Sequence, residues 1–168
     1  MRLLIDRLPS PIGKNFVVWD EREVVRAVDF EDYESRMLKL LQKHYGRVDL
    51  VSGRLPKNIS GKLEAYFAGD LLALDTIPVE TRGTRFQQEA WSALRAIPAG
   101  ATRSYGQQAA MIGNPKACRA VGGANRVNPI PIIVPCHRVI ANSGKLTGFG
   151  GGLERKHWLL AHERQNCR

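Results

Sequence analysis

Two rhythms of apolar and polar residues divide the chain. Up to residue 30 the apolar positions come in short β-branched or aromatic runs, Phe16-Val-Val-Trp19 and Val24-Val-Arg-Ala-Val-Asp-Phe30. Polar turn residues bound them, Ser10-Pro11-Ile12-Gly13-Lys14-Asn15 before the first and Asp20-Glu21-Arg22-Glu23 between the two. β-branched side chains suit a pleated surface, so this region reads as strands. After it the period changes: Tyr33, Met37, Leu40, Leu41 and His44 recur at helical spacing until Gly46. A second short helix is expected from Ser60 to Ala68, with Leu63 and Phe67 inward and Gly69 as its stop. The stretch from Leu74 to Gly83 reads as extended chain. The boundary falls there, giving an N-terminal support domain over residues 1–80 and a second domain over residues 81–168.

The second domain opens with three helix starts written in capping chemistry. Thr84-Arg-Phe-Gln87 is a capping box, in which a hydroxyl and an amide side chain satisfy two backbone N–H groups reciprocally. Its helix carries Phe86, Ala90, Leu94 and Ile97 on one face and stops at Pro98-Ala-Gly100. Ser104-Tyr-Gly-Gln107 repeats the box for a short helix to Ile112, ended by Gly113. Asn114 reads as the next N-cap, with Pro115 at the first helical position, where a missing N–H costs nothing. Such short joints suggest a helix-turn-helix with the helix from Pro115 to Val127 in the recognition position. At about 100° per residue, Lys116, Arg119 and Arg126 share one arc bordered by Ala120 and Gly123. Ala117, Val121 and Ala124 form the opposite stripe. A basic arc floored with Ala and Gly lets a helix axis come close to a phosphate-lined groove. The same pattern suits a small-residue helix packed in a core with its arginines in water; DNA binding is the stronger reading.

Composition narrows the class. A chain of 168 residues suits one globular unit or two small ones, and 43% hydrophobic with 24% charged residues speaks against disorder. No apolar run approaches the length of a membrane span, and the opening MRLLIDRLPS has too short an apolar run for a signal peptide. Three cysteines without a Cys-x-x-Cys pair argue against a disulfide scaffold or structural zinc, and suit a reducing cytoplasm. The net charge of +9 is unevenly spread. Residues 1–80 hold 12 Lys/Arg against 13 Asp/Glu, whereas residues 81–168 hold 13 Lys/Arg against three acids, Glu89, Glu154 and Glu163. A polyanionic partner and a merely solvated basic surface account for this equally well.

The chemistry gathers around one thiol. Ile130-Pro-Ile-Ile-Val134 is expected as a buried strand ended by Pro135, with Cys136, His137 and Arg138 directly after it. A cysteine is most often a small buried hydrophobe, which fits Cys118 beside the core stripe of the recognition helix; Cys167 fits an exposed bystander. Cys136 differs in its setting. An adjacent imidazole can take its proton and nearby positive charge favours the thiolate. Neighbouring side chains on a strand point to opposite faces, so His137 reaches Cys136 only through a chain turn or a water. A carboxylate is needed to orient the imidazole, and the three acids of this half are the candidates. Glu163 stands near a helix C-terminus, where a negative charge opposes the dipole, which hints at another reason for it. By spacing alone, Cys-His is a weak signal.

Ile132-Ile-Val-Pro-Cys-His-Arg-Val139 resembles the active-site signature of the O6-alkylguanine-DNA alkyltransferases, or methylated-DNA–protein-cysteine methyltransferases, of bacterial type. The resemblance extends through Gly83-Thr-Arg-Phe-Gln87, Ile97-Pro-Ala-Gly100, Ser104-Tyr-Gly106, Ala120-Val-Gly-Gly-Ala124, Asn128-Pro129, Gly144-Lys-Leu-Thr-Gly-Phe-Gly-Gly-Gly152 and Arg155-Lys-His-Trp-Leu-Leu160, and through Tyr66-Phe-Ala-Gly69 in the first half. It implies an α+β protein: a small antiparallel sheet with helices, then a mainly helical domain with a DNA-binding helix-turn-helix. It implies direct, cofactor-free and metal-free reversal of alkylation at guanine O6 and thymine O4, with Cys136 as the nucleophile consumed in one event. His137 would take the thiol proton through a water, oriented by Glu163. Tyr105 would donate to the guanine ring N3, and Asn128 would brace the turn carrying the cysteine. The carbonyls of Cys136 and Val139 would read the guanine amino group, and Phe149 and Gly150 would wall the pocket. Arg119 would replace the extruded nucleotide in the stack, with Lys116, Arg126, Ala120 and Gly123 against the duplex. The partner is then double-stranded DNA carrying an alkylated guanine, met from the minor groove by a monomer able to assemble cooperatively on it, with no membrane involved.

Two positions depart from the pattern. Phe149 stands where many members have Tyr, so a ring remains but a phenol does not. Asn125 stands where the human-type protein has Met, which implies weaker apolar packing on the base. Three rivals remain: a damage sensor of the same fold without chemistry, a helix-turn-helix regulator, and a Cys-His-Glu hydrolase. The presence of Cys136 opposes the first. The Ala/Gly floor opposes the second, since regulators read the major groove with longer polar side chains.

Overall fold

The computed structural model describes residues 1–167, and the chain packs as two compact units, Met1–Arg82 and the part from Gly83 onward. The first unit is built on four strands, β1 (Arg2–Leu8), β2 (Asn15–Trp19), β3 (Val25–Phe30) and β4 (Asp49–Ser52), in the order β3-β2-β1-β4. β1, β2 and β3 are antiparallel, with Val17 opposite Val28 and Asp6 opposite Val17. β4 joins β1 in parallel, Leu3 beside Leu50, so the sheet is mixed at one edge. That strand is short and half exposed, and its sequence, Asp-Leu-Val-Ser, has too little pattern to announce it.

Helix α1 (Glu34–Tyr45) lies on one face of this sheet because Met37 and Leu41 point inward. They join Leu3, Phe16, Val18 and Ala27 in one apolar cluster. Gly46 ends the helix at φ 69°, a backbone angle that glycine adopts without the penalty a Cβ brings. Helix α2 spans Lys57–Phe67, one turn earlier than its sequence pattern indicates. The Pro56 carbonyl accepts the N–H groups of Ile59 and Ser60, and proline is well suited to a helix start. Ile59, Leu63 and Tyr66 form its buried stripe, with Phe67 only half-buried and edge-on to Tyr66. The stretch expected as extended holds a 3₁₀ turn, Ala73–Thr76, before Val79 bridges to Val25.

The second unit begins with α3 (Arg85–Arg95) and α4 (Tyr105–Met111), each started by the capping box its sequence predicts, Thr84 with Gln87 and Ser104 with Gln107. Helix α5 spans Cys118–Arg126, a turn later than Asn114-Pro115 suggested. The Asn114 carbonyl, not its side chain, accepts the Ala117 N–H at 3.0 Å. Pro115 thus occupies the second position of a β-turn, where its fixed φ is equally at home. Two short strands, β5 (Arg103–Ser104) and β6 (Val139–Ile140), pair in parallel, and α6 (Leu153–Asn166) closes the chain. Among the described residues no helix is long and apolar enough to cross a membrane.

Candidate active site

The segment before Cys136 is not a strand. Pro129, Pro131 and Pro135 supply no N–H to a ladder, and a central strand cannot absorb such losses. The buried chain folds into consecutive turns instead. Val134 N–H bonds the Ile130 carbonyl, and Cys136 N–H bonds the Val134 carbonyl across Pro135 at φ −84°, ψ 68°, an inverse γ-turn. Ile132 sits at φ 76°, a strained angle for a β-branched residue that costs about 1–3 kcal/mol and is held by its surroundings. Asn128 supplies much of that hold. Its Oδ1 accepts from Ile130 N–H at 3.0 Å and its Nδ2 donates to the Val134 carbonyl at 2.8 Å.

The turns deliver Cys136, His137 and Arg138 as a buried 3₁₀ turn, so the two side chains the catalytic reading needs are not forced to opposite faces of a strand. His137 Nε2 lies 2.7 Å from Glu163 Oε2 on α6, and both residues are essentially inaccessible to water. Burial alone would raise the Glu163 pKa, but the His137 ring and the Arg138 guanidinium hold the carboxyl far below its usual range. A carboxylate cannot donate, so Nε2 carries the hydrogen and Nδ1 has the lone pair. Nδ1 is buried and has no hydrogen-bond partner in the protein. Burial also lowers the His137 pKa, against the upward pull of Glu163, which keeps the ring neutral. The arrangement is a poised base.

Two further cations complete the site, and neither role was read from the sequence. Arg138 donates from Nε and Nη2 to the two Glu163 oxygens at 2.8 and 3.0 Å, and from Nη1 to the Ile97 carbonyl at 2.7 Å. It fixes the carboxylate that fixes the histidine. Lys156 is fully buried, and its Nζ donates to the carbonyls of Val139 and Thr147, both at 2.7 Å. Burial lowers its pKa to about 8, opposed by attraction to the Cys136 sulfur, so at neutral pH a cation stands where it favours a thiolate. The available signal was spacing: Lys156 and Glu163 are seven residues apart on α6 with buried Leu159 and Leu160 between them, two charges on a core-facing stripe.

The β5–β6 pairing sets Ser104 beside Ile140, and so brings Tyr105 next to the end of the cysteine turn. The Tyr105 hydroxyl donates to the Thr147 carbonyl at 3.3 Å, the same oxygen that Lys156 holds. Phe149 and Gly150 follow in this loop, both partly exposed. Val139 is fully buried; its carbonyl accepts from Lys156, and that of Cys136 accepts from Val139 N–H.

On α5, Arg119, Ala120 and Arg126 are exposed and Gly123 is half-buried, while Val121 and Ala124 face the core. Lys116 is exposed in the turn before the helix rather than on its arc. One expectation fails here. Cys118 is exposed, not a buried hydrophobe; it opens α5 but lies outside the buried set of Val121, Ala124 and Asn125. Asn125, read as packing more weakly on a base, is turned inward and paired with Gln108. All three cysteines are thiols rather than disulfides, and among the described residues no three His, Cys, Asp or Glu side chains gather as a metal site would need.

Comparison with known proteins agrees along the whole chain. Residues 5–81 match the family profile described as 6-O-methylguanine DNA methyltransferase, ribonuclease-like domain, and residues 85–165 match the DNA binding domain of the same name. The methylated-DNA–protein-cysteine methyltransferase of Salmonella typhimurium is 51% identical over 165 residues, 97% of this chain and 96% of that protein. The Methanosarcina acetivorans protein of the same name is 56% identical over 107 residues, 64% of this chain and 68% of its own. The crystal structure of Mycobacterium tuberculosis OGT in complex with DNA superposes with a TM-score of 0.80 at 40% identity, covering 99% of this chain and 94% of that one. With both units matched and a near-full-length relative at half identity, the chain belongs to the 6-O-methylguanine DNA methyltransferase family.

Proposed function

We propose that this chain repairs DNA directly, moving the alkyl group of O6-alkylguanine, and of O4-alkylthymine, onto the Cys136 sulfur once per molecule. The thiol proton passes through a water to His137 Nδ1. The Cys136 thiolate, favoured by the Lys156 cation, attacks the alkyl carbon; a carbon–sulfur bond forms as the carbon–O6 bond breaks. Guanine leaves with the electron pair and takes up one proton, equal to the one the thiol gave. Tyr105 lends its hydroxyl to ring N3 as charge develops there, exchanging its bond to Thr147 for one to the base. The thioether product has no ready leaving group at neutral pH, so the molecule is spent.

The target base must leave the duplex, which costs a few kcal/mol and least for a damaged or mispaired base. Arg119 fills the gap in the stack, while Lys116 and Arg126 take phosphates. Ala120 and Gly123 let α5 enter a minor groove about 6 Å wide. Readout there is degenerate, which suits a search for one lesion in any sequence. The protein works as a monomer in the reducing cytoplasm, with residues 1–80 as support.

The observation that carries this reading is the His137 ring, bound to Glu163 through Nε2 and unpartnered at a buried Nδ1, on the residue that follows Cys136 in one 3₁₀ turn. The test is the intact mass of the protein after incubation with duplex DNA containing O6-methylguanine. One added methyl on Cys136 is expected, never more than one equivalent, and none in Cys136→Ser. An unmodified protein that still binds the lesion would make it a damage sensor, and turnover of an ester would make it a hydrolase.

A further inference from the structure

The inward face of α5 is smooth. Val121 and Ala124 are its buried apolar residues, and Ala109 is the one α4 offers beside it. Side chains so small interlock poorly, and shape alone resists a slide of one helix along the other only weakly. Two buried amides supply what shape does not. Gln108 on α4 is fully buried and Asn125 on α5 nearly so. Gln108 Nε2 donates to Asn125 Oδ1 at 2.9 Å, and Asn125 Nδ2 donates back to Gln108 Oε1 at 2.7 Å. The other Nε2 hydrogen goes to the Ala90 carbonyl on α3 at 3.1 Å. That bond decides which way the amide faces, since a flipped Gln108 would set oxygen against oxygen. Trp91 on α3 donates its indole N–H to the Ala124 carbonyl at 2.9 Å, one residue before Asn125. Any shift of α5 breaks several of these bonds at once and strands buried polar groups.

We propose that the Gln108–Asn125 amide pair is a positioning device for repair of duplex DNA, fixing the register of α5 and with it the placement of Arg119. It takes no part in alkyl transfer, and the proposal rests on the alkyl-transfer reading above. Arg119 lies six residues before Asn125, about 9 Å along the helix axis and about 120° around it, so the pair and the arginine occupy different faces of one helix. Setting register is the best-attested use of buried polar groups, which add little stability over well-packed apolar ones.

The test replaces both amides by apolar side chains of similar volume, Gln108→Met with Asn125→Leu, which removes both partners of the pair together and takes from the Ala90 carbonyl only its Gln108 donor. Cys136 alkylation is timed with free O6-benzylguanine and with O6-methylguanine duplex. Reaction of the unsubstituted protein with the free base checks the alkyl-transfer reading separately; if that fails, it is the reading that falls. The double variant is expected to keep its free-base rate within about twofold and to lose about tenfold or more on duplex, as a misplacement remote from the chemistry does. Asn125→Ala keeps the Gln108–Ala90 bond but leaves the buried Gln108 Oε1 without its donor, and is expected to show the same selective loss in a less stable protein. Parallel losses on both substrates in a folded variant, or an unchanged duplex rate, overturn the proposal.

Discussion

A histidine acts as a base near neutrality only while it is uncharged, and burial keeps His137 in that state. Its pKa lies below the ordinary 6.5, with Glu163 pulling upward but not restoring it. The alkylation rate on free O6-benzylguanine is therefore expected to hold as pH falls to about 6.5 and to drop only below. A rate already falling between pH 7.5 and about 6.5 would count against His137 as the base. Stability follows the same groups. Unfolded, His137 takes a proton near 6.5 and Glu163 near 4.5, while both resist it when folded. The unfolded chain binds more protons in that window, so these groups stabilise the fold above about pH 6.5 and the melting temperature falls as pH drops below it. Glu163→Gln tests the clamp. It strips the charge from between Arg138 and His137, leaving a buried guanidinium without its counter-ion, and is expected to cost about 3 kcal/mol in urea unfolding. It also removes the upward pull on His137, so any remaining activity should keep its acid limb at a still lower pH.

Among the elements, the turns from Asn128 to Cys136 matter most and were least legible. An apolar run of Ile and Val spells a strand by composition, yet its three prolines remove the donors a ladder needs, and Asn128 rather than a neighbouring strand satisfies the backbone. Asn128→Asp keeps the acceptor for Ile130 N–H but sets a carboxylate oxygen against the Val134 carbonyl. A loss of about 1–3 kcal/mol is expected by denaturant titration, with slower reaction on free base and duplex alike, because the whole turn loosens. A duplex-only defect would mean the turn serves DNA and not the thiol. Where local chemistry decided the outcome, the sequence was easily read: both capping boxes, the Gly46 stop, and the Met37 and Leu41 stripe all stand as written. Where tertiary partners decided, it was not. β4 is a strand because β1 offers its edge, Asn125 faces inward because Gln108 waits there, and Arg138 is a clamp only once Glu163 arrives from 25 residues away. The Cys136–His137 pair proposed as nucleophile and base was singled out from adjacency and resemblance; the buried cations beside it were not, since charged residues in a core are improbable until their partners are known.

At the scale of the molecule, charge is divided by use. In the first unit, cations are spent internally: buried Arg26 pairs with Asp20 and Glu80, Arg36 with Asp29, and Arg7 with Glu31. In the second, from Gly83 onward, three acids face 12 cations, and among the described residues Glu89 is engaged by Arg85 and Glu163 by Arg138. Most of that positive charge can be balanced only by ions from solution or by the phosphates of a duplex. Binding DNA then releases condensed counterions, and the affinity of the full chain for undamaged duplex should fall with a log–log slope of about −0.9 per phosphate engaged. Three to five engaged phosphates imply a loss of about 40- to 500-fold between 50 and 200 mM salt. The variants separate two kinds of arginine. Lys116→Ala with Arg126→Ala, the two phosphate ligands proposed above, should flatten the slope by about 2, equally on every sequence. Arg119→Ala should slow repair of duplex while leaving the slope nearly unchanged, because in the proposed complex its guanidinium takes the place of the extruded base rather than a phosphate. A slope insensitive to Lys116 and Arg126 would place the duplex elsewhere on the second unit, and a flat salt response in the unsubstituted protein would detach the charge asymmetry from DNA altogether.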